Sequence, residues 1–271
     1  MQISHVIRGD DHVNNTPRQI NILRALLGDS GEALPEYGHV PMILGPDGDK
    51  LSKRHGAVSV TQYEDEGYLP EAMLNYLARL GWSHGDAELF SREQLVAWFD
   101  GQHLAKSPAQ WDPAKLNWVN AHYLKQTDNS ALAVHVAQQL AKRGIDAPVD
   151  VRLAGLCALF KDRCATTVEL ADWVAMYFVE MPASAEDLAS FVTDALKPAL
   201  IALRGRLADV AWDKAAIALA IKATLAEQGL KMPQLAQAVR VLLCGRSQTP
   251  SLDAVIEGFT REQVLWRLRS L

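Results

Sequence analysis

A chain of 271 residues with 49% hydrophobic side chains is long enough for two domains with real cores. No apolar run approaches the roughly 20 residues of a bilayer span. The start Met1-Gln2-Ile3-Ser4-His5-Val6 has no signal character, and three scattered cysteines (Cys157, Cys164, Cys244) exclude a disulfide framework or a zinc site and fit a reducing cytosol. The net charge of −5 excludes a generic polyanion binder, but residues 231–271 carry six cations (Lys231, Arg240, Arg246, Arg261, Arg267, Arg269) against Asp253, Glu257 and Glu262. Such a local basic face can hold nucleic acid, because screening confines the surrounding field to about a Debye length.

In chain order, Ile3–Ile7 is short, β-rich and bounded by Arg8-Gly9-Asp10-Asp11, which predicts a buried strand entering a polar loop. Thr16-Pro17-Arg18-Gln19 offers an N-cap, a first-turn proline and a glutamine, and predicts a helix with Ile20, Leu23, Leu26 and Leu27 on one face, stopping at Gly28. His39–Leu44 reads as a second strand, followed by a tight turn at Gly45-Pro46-Asp47-Gly48. Strand, helix, strand is one crossover unit, and two strands are too few to stand as a sheet, so the expectation is a chain that begins inside a domain.

Beyond residue 56 the helical period dominates. Pro70 starts a helix with Met73, Leu74, Leu77 and Leu80 on one face; Ser91-Arg92-Glu93-Gln94 is a capping box; Asp112-Pro113 opens another helix; Thr260-Arg261-Glu262-Gln263 caps the last. The fold class is therefore mainly α: a small α/β part over 1–45, a largely helical part over 46–128, and helices over 129–271 in two subdomains divided near 182.

The segment richest in chemistry is Lys50-Leu51-Ser52-Lys53-Arg54-His55-Gly56. Clustered cations on one short loop repel one another unless an anion joins them, and flexible ammonium groups suit a triphosphate whose charge moves onto a leaving pyrophosphate. A bare cluster of this kind is more often solvated surface.

Lys50-Leu51-Ser52-Lys53-Arg54 resembles the KMSKS motif of class I aminoacyl-tRNA synthetases, in the form found in bacterial glutamyl-tRNA synthetases. Arg8-Gly9-Asp10-Asp11-His12, Asn15-Thr16-Pro17-Arg18-Gln19, Gly67-Tyr68-Leu69-Pro70-Glu71-Ala72 and Asn75–Gly85 are similar to the same family, densely to residue 125 and more thinly to the end. The resemblance implies a class I Rossmann remnant (1–45), a KMSKS loop with a helical stem-contact domain (46–128) and an anticodon-binding domain (129–271). It implies glutamate–tRNA ligase chemistry, using ATP with Mg2+, L-glutamate and glutamate tRNA, in a cytoplasmic monomer.

By the same resemblance, Lys50 and Lys53 serve catalysis, Lys50, Leu51, Ser52, Lys53 and Arg54 bind ATP, Arg8 and Asp11 hold glutamate, and Arg163, Arg240 and Leu252 read the anticodon. Without it, Arg8 and Asp11 would read as a local ion pair, and a helical arginine as surface. The family's HIGH motif has no counterpart here, and Met1 aligns with an interior position, so a truncated form or proteolytic remnant unable to form the adenylate alone is expected. Two other readings are a stand-alone tRNA-binding module, which would have no reason to keep Lys50–Arg54, and a helical protein scaffold, which the arginine-rich tail opposes. A related enzyme that glutamylates a tRNA base lacks the region after residue 130.

Overall fold

The computed structural model describes residues 3–52 and 59–269, which form two compact units, Met1–Tyr123 and Leu124–Leu271. The chain is mostly helical, and no helix among the described residues is long and apolar enough to cross a membrane.

In the first unit, β1 (His5–Gly9) pairs in parallel with β2 (Glu36–Val40), His5 opposite Glu36 and Gly9 opposite Val40. A 3₁₀ segment (Asp10–Asn15) and α1 (Thr16–Leu27) make the crossover between them. The strand starts two residues later than read from the sequence and carries Arg8 and Gly9 within it. Thr16 is not the cap. Asn15 is already helical at φ −83° and ψ −24°, because the 3₁₀ segment feeds straight into α1. The Thr16 hydroxyl instead donates to the His12 carbonyl at 3.2 Å.

Of the face expected on α1, Ile20, Leu23 and Leu27 are half-buried while Leu26 is 78% exposed. The expected strand 39–44 breaks at Pro41, which has no N–H for a ladder. His39 and Val40 close β2, and Ile43–Leu44 form β3, paired in parallel with β4 (Ala109–Gln110).

Helices fill the rest of this unit: α2 (Val60–Asp65), α3 (Pro70–Gly81), α4 (Arg92–Trp98) and α5 (Pro113–Gln126). α3 buries Ala72, Met73 and Tyr76, with Leu69 buried just before it, and Leu74 points outward. The expected face was rotated because Asn75, a polar residue, is buried beside it. Its amide donates to the Glu88 carbonyl at 2.9 Å, and its oxygen accepts from Phe90 N at 3.3 Å and from the Tyr123 hydroxyl at 2.7 Å. A fully bonded buried amide costs little and locks the surrounding turns. The Ser91 box closes as read: Ser91 Oγ accepts from Gln94 N, and Gln94 Oε1 from Ser91 N.

The second unit is all helix: α6 (Asn129–Ala141), α7 (Val151–Phe160), α8 (Thr167–Val174), α9 (Ala185–Phe191), α10 (Lys197–Asp209), α11 (Lys214–Gln228), α12 (Met232–Cys244), α13 (Leu252–Gly258) and α14 (Arg261–Arg267). Asp128, Asp150, Thr166, Ser184, Asp213 and Thr260 accept backbone N–H bonds at helix starts. Phe160, Tyr177, Leu203, Leu235, Val239, Val255 and Val264 are fully buried, each such apolar side chain contributing about 1.5–3 kcal/mol.

The basic face expected over residues 231–271 does not form as one surface. Arg267 is buried and donates to the Leu243 and Val179 carbonyls at 2.5 and 3.0 Å. Arg261 donates to the Ala208 and Val210 carbonyls at 3.0 and 2.5 Å. Guanidinium forks satisfy carbonyls that helix ends leave without partners, which sequence charge counts cannot register.

Candidate functional site

In open α/β sheets, ligands collect at the carboxyl ends of parallel strands. In the first unit that end carries Arg8 near the close of β1, Asp11 just past it, and His39 near the close of β2. Arg8 Nη1 donates to Gln19 Oε1 at 2.6 Å and Nη2 to Thr16 Oγ1 at 2.7 Å, and its Cζ lies 5.4 Å from the Tyr37 ring centre. The fork is thus held open by α1 beside a hollow of about 320 Å3, lined also by Val6, Leu23 and Tyr37.

Lys50 reaches the same place from a hairpin. Gly45 N donates to Asp49 O at 2.7 Å, Gly48 turns the chain at φ +83°, and Leu51 N donates to Ile43 O at 2.9 Å. The Lys50 ammonium then donates to Asp11 Oδ2 at 3.2 Å, and that bond holds the Asp11 carboxyl below its ordinary value. Asp11 folds back so closely that a β-carbon on Gly9 would stand 2.6 Å from its Oδ1. Of the other loop residues, Leu51 is half-buried and Ser52 exposed, while Lys53 and Arg54 lie outside the described residues. Arg8, Asp11 and Lys50 are therefore gathered around one strand end.

In the second unit, Arg163 closes a short 3₁₀ turn (Lys161–Arg163) after α7 and borders a groove of about 590 Å3 with Arg143, Glu169, Asp172, Trp173 and Arg246. Arg143 is ion-paired with Asp172, and Glu169 Oε2 accepts from Ala165 N at 2.6 Å. Arg246 Cζ sits 4.3 Å from the centre of the Trp173 ring. Arg163 makes no hydrogen bond or ion pair among the described residues and faces solvent.

Arg240 is committed differently: Nε donates to Thr249 Oγ1 at 2.9 Å and Nη2 to the Pro250 carbonyl at 3.2 Å, tying α12 to the loop before α13. Leu252 is 5% exposed and belongs to the core, so in this conformation it offers little surface to a base. Sequence reasoning missed Trp173, Arg143 and Asp172 as neighbours of Arg163, and counted Arg246 only as charge. Among the described residues, no group of three or more His, Cys, Asp or Glu side chains could hold a metal ion.

Residues 1–118 match the family described as tRNA synthetases class I (E and Q), catalytic domain, and residues 117–271 match the anticodon binding domain family. Over the whole chain, the sequence is 61% identical to a glutamate–tRNA ligase of Leptothrix cholodnii and 58% identical to one of Albidiferax ferrireducens, covering 57% of each relative. A glutamate–tRNA ligase of Azoarcus sp. strain BH72 is 59% identical over 99% of the chain and 56% of the relative. Among solved structures, a glutamate tRNA ligase from Elizabethkingia meningosepticum in complex with its amino acid shares the fold at a TM-score of 0.81 and 24% identity, matching 99% of this chain and 56% of its own. A glutamate-tRNA synthetase from Elizabethkingia anophelis matches the same shares at 0.77 and 25% identity. The chain thus spans about half the length of the relatives it matches.

Proposed function

This chain belongs to the class I tRNA synthetases of the E and Q type, matching their catalytic domain and then an anticodon binding domain, and from that premise we propose that it is part of a glutamate–tRNA ligase. The observation that carries the proposal is the convergence of Arg8, Asp11 and Lys50 at the carboxyl end of the parallel pair β1–β2.

In the reaction, the glutamate carboxylate attacks the α-phosphorus of ATP, the bond to pyrophosphate breaks, and a terminal ribose hydroxyl of the tRNA then attacks the acyl carbon and releases AMP. Arg8 pairs its planar fork with a glutamate carboxylate, a match that an ammonium cannot make. Lys50 leaves Asp11 to follow the negative charge moving onto pyrophosphate, with Lys53 and Arg54 adding charge from the same loop. Magnesium bound to the ATP phosphates would offset part of their charge, with no ligand cluster from the described residues. In this proposal the chain has a Rossmann part to about 45, a stem-contact part to about 128, and an anticodon part beyond, divided near 182. Arg163 is the anticodon contact that stands exposed, while Arg240 and the buried Leu252 contact the anticodon only once the loop before α13 rearranges. The protein works in the cytoplasm as a monomer.

The test is a titration of this chain with glutamate tRNA and glutamine tRNA at low and high salt. Tighter, salt-sensitive binding of glutamate tRNA, weakened by Arg163→Ala, supports the reading. Equal binding of both tRNAs, unaffected by Arg163→Ala, counts against it.

A further inference from the structure

The groove around Arg163 also holds Arg246, which no motif singles out. α12 ends at Gly245 in the left-handed region, φ +67°, and that turn carries the next residue, Arg246, over the Trp173 indole at 4.3 Å. Trp173 is itself stacked on the fully buried Phe160, ring centres 5.3 Å apart and planes 13° from parallel. The indole therefore contacts a buried ring and a half-buried guanidinium, and the guanidinium borders the open groove.

The charges of the groove divide by commitment. Arg143 is taken by Asp172, and Glu169 is bonded to the Ala165 amide. Arg163 and Arg246 have no acid of their own among the described residues. An open groove of about 590 Å3 with two uncommitted guanidinium groups, one centred 4.3 Å over an aromatic ring, has the chemistry of a site for an unstacked nucleotide. Bases stack on guanidinium planes as they do on aromatic faces, and a guanidinium already held over a fixed indole loses little freedom in accepting one.

We propose that Arg246, laid on Trp173, is a stacking platform for one splayed-out RNA base in the groove that also holds Arg163. The inference rests on the reading of the second unit as an RNA-binding unit and adds a base-contacting residue to it. Arg246 acts through its plane, and Arg163 through its donors.

The experiment uses the full chain and a fluorescent RNA hairpin with the seven-nucleotide anticodon loop of glutamate tRNA, with each loop base replaced in turn by an abasic site. Arg246→Ala and Arg246→Lys should each weaken binding about tenfold, because lysine keeps the charge and loses the plane. At one loop position the abasic site should cost the wild-type chain a similar factor and cost Arg246→Ala nothing further. Wild-type affinity in Arg246→Lys would assign the residue to simple charge, as an acidic peptide partner would also require, and overturn the proposal. So would additive losses at every loop position. If Arg163→Ala weakens the hairpin while both Arg246 variants bind normally, RNA binding stands and the platform falls. If the wild-type chain ignores the hairpin, both fall.

Discussion

A β-carbon built on Gly245 would stand 2.6 Å from the carbonyl oxygen of Met181, and the residue sits at φ +67°. Both facts demand glycine: the backbone conformation disfavours a side chain, and the obstacle is main chain that cannot swing aside. Gly245→Ala should therefore lose about 2–4 kcal/mol in urea unfolding, from left-handed strain plus the displaced contact. It should also weaken RNA binding, since Arg246 takes its place over Trp173 from this turn. An unchanged urea midpoint would show that the turn can relax.

Arg267 donates to the Leu243 carbonyl near the end of α12 and to the Val179 carbonyl, and its Cζ lies 4.8 Å from the Phe259 ring centre. Burial pulls its pKa down from the ordinary arginine value. Charge-assisted bonds of this kind contribute about 1.5–3 kcal/mol each, and a truncation leaves two carbonyls unpaired. Arg267→Met should cost about 3 kcal/mol in the same assay. Arg267→Lys should recover only part of it, because one ammonium cannot span two carbonyls as a fork does. Full recovery by lysine would assign the effect to charge alone.

The features legible in the sequence were those set by local chemistry. The Ser91 and Thr260 boxes, the Asp112-Pro113 helix start, and the turn that delivers Lys50 all depend on neighbours within a few residues. What was not legible depends on distant partners. The helical period places Leu74 on the apolar face because no local rule says that Asn75 will find Glu88, Phe90 and Tyr123. Thr16 had the composition of a cap but is taken by Arg8 and His12. Lys50 stood out on its loop, yet its pairing with Asp11 joins residues 39 apart. The Arg246–Trp173 contact has no sequence signal at all, as it joins the turn after α12 to α8, far apart in the chain.

The three thiols, Cys157, Cys164 and Cys244, are all buried in the second unit, and burial pushes each up to about 12 from an ordinary value near 9. A folded-state value raised above the unfolded one stabilises the fold fully below about pH 9, and that contribution is lost as pH rises toward about 12. The unit should weaken progressively over that alkaline window. At pH 8 a disulfide-exchange reagent should label the thiols only as fast as the unit opens, and Gly245→Ala should accelerate it. Complete labelling within the mixing time in native buffer would contradict this burial.

Residues of β1, β2 and α1 have no buried side chain among them, and Ile7, Ile22 and Leu26 are 68%, 60% and 78% exposed. By contrast α7, α10 and α12 each carry several fully buried side chains. Local opening free energy follows buried apolar contact, so amides of 3–44 should exchange hydrogen first and those of α7, α10 and α12 last. Equal protection of both sets would show that the N-terminal residues gain stability from something other than their own packing.

Asp11 and Lys50 form an exposed pair, and its main use is to decide where the ammonium rests. The carboxyl value is lowered chiefly by the Lys50 hydrogen bond, so the pair persists above the ordinary carboxylate value near 3.8 and is lost only as pH falls through the lowered one. A triphosphate seated as proposed would therefore compete at neutral pH with Asp11 for Lys50, and also approach against the charge of Asp11. Asp11→Asn removes both obstacles and keeps the shape. Calorimetric titration with ATP and magnesium should show binding several-fold tighter in Asp11→Asn than in the wild-type chain, with the gain shrinking at high salt. Lys50→Ala should abolish the gain in the double variant. Weaker binding in Asp11→Asn would mean that the carboxylate instead holds Lys50 in the orientation that the phosphates need.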